Sequence, residues 1–302
     1  MNTTTESNGI YWNELSHAIS NTSRTQLLDW ACTIPGLAGK AGWRRVTGFT
    51  QLAASLYRHS RNGLGSMAVA YEQERLGAYC VETANDFSNA CSERATALSN
   101  LVQAIKDKPA DVLPGLFFAS LGFYTGGGGL DGNGGIPDLD IPLMGIGAHR
   151  SPLTHSIIAG IGFETLCLAS LGMFTAVYYN LPDNHLPFWD NLHKQLEENG
   201  ALFLLGGSAG IVYHLSVDTL VQPHPYHDLP FAMPIESHQT VMGLNALAEA
   251  GAAVKLRHFG RVSERFESFV KASQAARKTP GSKIRRNPDD NSFWLLYGSN
   301  DC

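Results

Sequence analysis

Residues 157–181 form an almost unbroken apolar run whose single charge is Glu164. As a helix this run would extend about 37 Å at ~1.5 Å per residue, enough to cross a ~30 Å hydrocarbon core. Against that, a carboxylate at mid-membrane costs about 2.5–3.5 kcal/mol on insertion scales. A second run, residues 201–217, is broken by Gly206, Gly207 and Gly210, and a shorter one covers residues 116–124. Helices buried in a globular bundle and helices in a bilayer read alike at this level, and both readings stand. No alternating strand pattern and no Asn-Gly hairpin between β-branched runs appears. The expected class is all-α: a helical bundle with a long N-terminal helical region. Charged residues make up only 16% of the chain, against about 25% in typical domains, which excludes a disordered polyelectrolyte and points to extensive burial.

The N-terminal region, residues 13–108, reads as helical. Its clearest piece spans 67–105, where Cys80, Phe87 and Leu101 interleave with Ala84, Cys91, Leu98 and Ile105 at three- and four-residue steps. Such spacing lays one apolar stripe along a helix, interrupted where Arg94 takes an apolar position. A single helix of that length would run roughly 55–60 Å and must pack on a partner or a second copy. A homo-oligomer through the N-terminal helices is expected. Pro109 and Pro114 are expected to end the region.

Charge is uneven. The chain carries −5 overall, yet residues 255–286 hold ten basic side chains against Glu264 and Glu267. That stretch reads as a basic helix and tail, either a solvated face or a surface for anionic lipid or nucleic acid. Five widely spaced cysteines without a Cys-x-x-Cys pair fit a reducing compartment. The polar N-terminus shows no secretory signal, so a cytoplasmic or inner-membrane-associated location is expected.

The chemistry concentrates between His149 and His238, which hold eight of the eleven histidines. After seven glycines within residues 126–135 comes Pro137-Asp138-Leu139-Asp140. Two carboxylates in a loop can turn to one cation, although a turn with self-bonded Asp side chains has the same sequence. The glycines would let the backbone pass close to that pair. Next stands His149-Arg150-Ser151-Pro152-Leu153-Thr154-His155-Ser156, with Thr154 or Ser156 a candidate N-cap placing His155 at a helix start. Arg150 offers a bidentate clamp for an anionic oxygen. Third is His214-x-x-x-Asp218, whose i,i+4 spacing puts imidazole and carboxylate on one helix face. Burying both in an apolar segment costs several kcal/mol unless a cation or a mutual hydrogen bond offsets it. His224 and His238 follow as further candidate ligands.

These motifs, in this order and with these apolar segments between them, resemble the YdjM-type family of membrane-associated metal-dependent hydrolases over roughly residues 115–234. Three residues separate Arg150 from Thr154-His155 where that family has two, and Ile141 stands where a histidine often follows Asp-x-Asp. The spacing of His214, Asp218, His224 and His238 is also similar to zinc-dependent phospholipase C and the single-strand-specific zinc nucleases, with Met242 in place of their next ligand, a Glu. The resemblances imply an all-α domain with a metal site between apolar helices. They further imply one or two divalent ions, zinc first and manganese or magnesium next, held among Asp138, Asp140, His149, His155, His214, Asp218, His224 and His238. Hydrolysis of a phosphoester follows as the expected activity, with Arg150 and Asp138 in catalytic roles and a phospholipid, or secondly a nucleic acid, as substrate. The alternative is a membrane-associated regulatory or binding protein with a structural metal. The chain then divides into a helical scaffold at 1–110, a hydrolase-like helical domain at 111–254 and a basic helix and tail at 255–302.

Overall fold

The computed structural model describes residues 3–145, 150–221, 225–226, 229, 232–256, 283–286 and 293–296. The described chain is an all-α bundle of α1 (Thr3–Asn21), α2 (Arg24–Glu72), α3 (Leu76–Asp107), α4 (Pro109–Gly127), α5 (Asp140–Met144), α6 (Ile157–Tyr178), α7 (Pro187–Leu220) and α8 (Ile235–Leu256). Local chemistry sets the boundaries. Ser23 begins α2 through a capping box with Gln26, each side chain taking the other's backbone N–H at 3.2 and 3.0 Å. Ser156 caps α6 by accepting the Ile158 N–H at 3.2 Å, so His155 stands just before the helix. Gly128, with φ of 77°, closes α4 in the left-handed conformation that favours glycine.

Three expectations change. The stripe over 67–105 does not run along one helix, because Gln73, Glu74 and Arg75 break it, with Glu74 at φ 55°. Neither proline nor glycine marks that turn, so only a polar triplet hints at it in the sequence. Pro114 does not end a helix but lies inside α4, whose first position is Pro109. In the tail, Lys283–Arg286 and Phe293–Leu296 pair as antiparallel strands β1 and β2, with Lys283 opposite Leu296. The turn-forming sequence Asn-Pro-Asp-Asp-Asn at 287–291 separates them. The remainder of the expected basic helix beyond Leu256 lies outside the described residues.

The core gathers Phe163, Leu168, Leu204, Ile211, Leu215, Met242 and Leu256 from α6, α7 and α8. Helices α4 and α7 meet backbone to backbone. A Cβ built on Gly126 would lie 2.1 Å from the Gly207 carbonyl oxygen, and one on Gly206 would lie 2.0 Å from that of Ala119. Gly126→Ala is therefore expected to push the helices apart and to cost about 1–3 kcal/mol, as overpacking does; urea unfolding of both proteins measures it.

The first half of α2 belongs to this same interior, so the boundary near 110 does not separate two cores. Arg45, fully buried, donates through Nε and Nη2 to both carboxylate oxygens of Glu249 at 2.6 and 2.7 Å. Its Nη1 reaches Glu164 at 2.8 Å and the Ala41 carbonyl at 2.9 Å, and Arg44 also bonds Glu164. The one charge in the apolar run is thus neutralised within the protein, in a knot of α2, α6 and α8. By length and composition α6 and α7 are both apolar enough to cross a membrane, and both are partly buried in the bundle.

The turn between α6 and α7 carries a separate charge pair. His185 places Nδ1 2.7 Å from the Pro182 carbonyl and Nε2 2.8 Å from Asp190, so both ring nitrogens face acceptors. Only the imidazolium satisfies both. The Asp190 bond, then the Pro182 carbonyl, hold the His185 pKa above its ordinary 6.5, while the His185 bond pulls Asp190 below 3.8. The stabilisation from His185 is full below about 6.5 and fades as pH rises through its raised value. That from Asp190 is full above about 3.8 and fades as pH falls through its lowered value. An NMR titration should find the His185 midpoint above 6.5, and Asp190→Asn should return it towards the ordinary value.

Candidate metal centre

Three elements bring polar side chains to one buried point. The turn entering α5 supplies Asp138 and Asp140, the segment leading into α6 supplies Arg150 and His155, and α7 supplies His214 and Asp218. The glycine-rich loop shapes one wall. Gly134 donates its N–H to Asp138 Oδ2, and the Gly127 carbonyl faces His214 Nδ1 at 3.4 Å. The backbone does pass close to the carboxylates, as the run of glycines leads one to expect.

Both histidines turn Nε2 inward. His214 Nε2 lies 3.4 Å from Asp218 Oδ2 and 3.6 Å from Asp138 Oδ1. His155 Nε2 lies 3.4 Å from the same Asp218 oxygen and 3.7 Å from the same Asp138 oxygen. Asp138, His155 and His214 form a group whose ligand atoms lie within 4.8 Å of one another, a group that could hold a metal ion. The separations exceed an ordinary hydrogen bond of about 2.7–3.2 Å.

Outer contacts fix these orientations. His155 Nδ1 meets Thr154 Oγ1 at 3.1 Å and Asp140 Oδ2 at 3.4 Å. Asp140 Oδ2 also accepts the Ser151 N–H at 3.0 Å and the Thr154 hydroxyl at 2.8 Å. Asp140 therefore stands behind the His155 ring, on the side away from Asp138 and Asp218, and corrects the expectation of a direct ligand. Two carboxylates only one residue apart, at the start of a helical turn, project in different directions. Arg150 is buried with φ of 67° and donates Nη2 to Asp218 Oδ1 at 2.8 Å. Tyr226 donates its hydroxyl to the His155 carbonyl at 2.7 Å.

His238 does not join the group. Its Nδ1 accepts the Tyr226 N–H at 3.1 Å, which makes it a prop for Tyr226 rather than a ligand. Its position in the first turn of α8, before the buried Met242, turns it into the bundle wall. His149 and His224 lie outside the described residues. Thr154 and Tyr226 are the functional positions that motif reading misses as such. Thr154 is hidden because Ser and Thr before an apolar run signal a cap first, and Tyr226 because its neighbours are prolines and histidines.

No family model, curated protein or solved structure matches this chain. The site is left to speak through its own electrostatics. Asp138 and Asp218 approach the two imidazole Nε2 atoms, Arg150 pairs with Asp218, and Asp140 stands behind His155. Burial opposes ionisation of Asp218, but the polar edges of His155 and His214 facing it and the charges of His214 and Arg150 outweigh that and hold its carboxyl well below the usual range. Burial likewise opposes charge on His214. Asp218, Asp138 and the Gly127 carbonyl prevail and raise its pKa. The carboxylates of the site thus favour positive charge among them.

Proposed function

We propose that this chain is a metal-dependent hydrolase of phosphoric esters, with one divalent ion held by Asp138, His155 and His214 and its fourth position open to water beside Asp218. The observation that carries the reading is the convergence of His155 Nε2 and His214 Nε2 on Asp138 Oδ1, 3.7 and 3.6 Å away, in a group whose ligand atoms lie within 4.8 Å of one another. Donors about 2.0–2.1 Å from a tetrahedral zinc stand about 3.4 Å from one another. Two imidazoles in the set favour zinc over magnesium, which prefers oxygen ligands. Nδ1 of His155 faces the Asp140 carboxylate and Nδ1 of His214 faces the Gly127 carbonyl, acceptors towards which each Nδ1–H can point, and that arrangement keeps ligating histidines in the tautomer with Nε2 free.

When bound, such an ion supplies a hydroxide nucleophile near neutral pH and polarises a phosphoryl oxygen. The chain's own residues do the rest. Arg150 orients Asp218 and offers its cationic edge to an anionic substrate. Asp138, pinned by Gly134, presents its other oxygen inward. The apolar walls of α4, α6 and α7 exclude water from the approach. Those walls, and the basic stretch at 255–286, support a phospholipid at a membrane surface as substrate, ahead of a nucleic acid. The motif order supports kinship with the YdjM-type hydrolases.

The test uses the full chain. Elemental analysis after zinc loading should find about one ion per chain. The loaded protein should hydrolyse bis(p-nitrophenyl) phosphate and phosphatidylcholine vesicles, with both activities removed by chelator and restored by zinc. Failure to take up any divalent metal overturns the site. Uptake without hydrolysis, together with unfolding on chelation, makes the metal structural and overturns the enzyme.

A further inference from the structure

Helix α3 stands apart from the bundle. Among its 32 residues none is buried, and it touches its neighbours only near its ends, where Tyr79 donates to the Gly63 carbonyl at 3.2 Å. Solvated helices of this kind gain little stability from their own backbone and rely on packing an apolar face. Such a face is present. Cys80, Ala84, Phe87, Cys91, Arg94, Leu98, Leu101 and Ile105 follow one another at alternating steps of four and three, a heptad seam. Phe87, Leu98 and Leu101 on this seam are exposed at 73%, 62% and 38%. The flanking positions Val81, Ala90, Ala95, Ala97, Val102 and Ala104 are small or apolar, while Glu82, Asp86, Glu93 and Asp107 fall on the outer side.

We infer that α3 pairs with α3 of a second copy of this chain, in the antiparallel direction. A parallel pair in register would set Arg94 against Arg94 in one layer, and like charges facing across an apolar seam are costly. Reversing one helix about a point between Cys91 and Arg94 removes that clash and matches side-chain sizes. Leu98 then meets Phe87, Leu101 meets Ala84, and Ile105 meets Cys80. Arg94 lies over the small Cys91 and extends its guanidinium to water. The whole length of α3 overlaps in this register, since its two ends exchange places. The pairing stands independently of the metal centre.

Sedimentation equilibrium of the full chain is the first readout, and a dimer at micromolar concentration is expected. Phe87→Glu with Leu98→Glu should weaken dimerisation at least tenfold while leaving the zinc content of the bundle unchanged, because neither side chain is buried in the monomer. Direction is read by disulfide trapping. Ile105→Cys, in a background with Cys91→Ser, should give a covalent dimer on mild oxidation that the further change Cys80→Ser abolishes. A monomer at all concentrations overturns the inference. So does a dimer indifferent to the Phe87 and Leu98 changes, and so does oxidative Cys80-to-Cys80 coupling in the unaltered chain, which only the parallel arrangement allows.

Discussion

His214→Ala is expected to leave a folded chain that no longer holds metal. One of three donors disappears, and its place in the wall of α7 is taken by a small residue that adds no strain. Outer partners of metal ligands are typically worth 10–100-fold in metal affinity, so an inner ligand should exceed that, with a loss of at least about 100-fold. Competition against a chromophoric zinc chelator measures the loss, and far-ultraviolet circular dichroism checks the fold. Asp140→Asn provides the contrast. It keeps the volume behind His155 and removes only the charge that faces Nδ1 at 3.4 Å. Its loss should fall within the 10–100-fold range and show in both metal affinity and hydrolysis. Equal, negligible effects of the two changes would remove the basis for a metal at this point.

Arg45→Met should be the most destabilising single change in the bundle. Glu249 loses both of its partners, at 2.6 and 2.7 Å, and Glu164 keeps only Arg44. Breaking one side of a buried ion pair costs about 3–5 kcal/mol, because a charge is stranded without solvent. Typical domains are stable by only about 5–15 kcal/mol, so a large share of the total is at risk. The double change Arg45→Met with Glu249→Leu removes both charges together and should recover much of the loss, since apolar residues of similar volume often replace buried pairs at little net cost. Urea midpoints of the three proteins decide the matter. A double variant no better than the single one would mean that the shape of the knot, and not its stranded charge, sets its value.

How far the sequence could be read differs from element to element. The apolar run beginning at residue 157 marked α6 closely, because a long apolar stretch without proline and a Ser before it leave few choices. His214 and Asp218 were legible as a pair since helix periodicity alone sets their common face. Asp138 and Asp140 were legible as chemistry but not as geometry. Which of two neighbouring carboxylates faces inward depends on the turn leading into α5, and no spacing rule encodes that. The partners of Glu164 were invisible for a different reason. Arg44 and Arg45 lie 120 and 119 positions away, and contacts at that separation leave no periodic trace. The break at Glu74 escaped notice because a residue other than glycine adopts the left-handed backbone there.

Helix α6 begins two residues after His155 and carries Glu164 two turns further along. One rigid rod thus ends in the site and is clamped in its middle by the arginines of α2. Heat or urea that loosens this clamp must release His155 in the same event, so loss of the ion and loss of the fold should share a single cooperative step. By mass action, added zinc then shifts the melting temperature of the entire bundle, α2 and α8 included, although neither of those helices donates an atom to the ion.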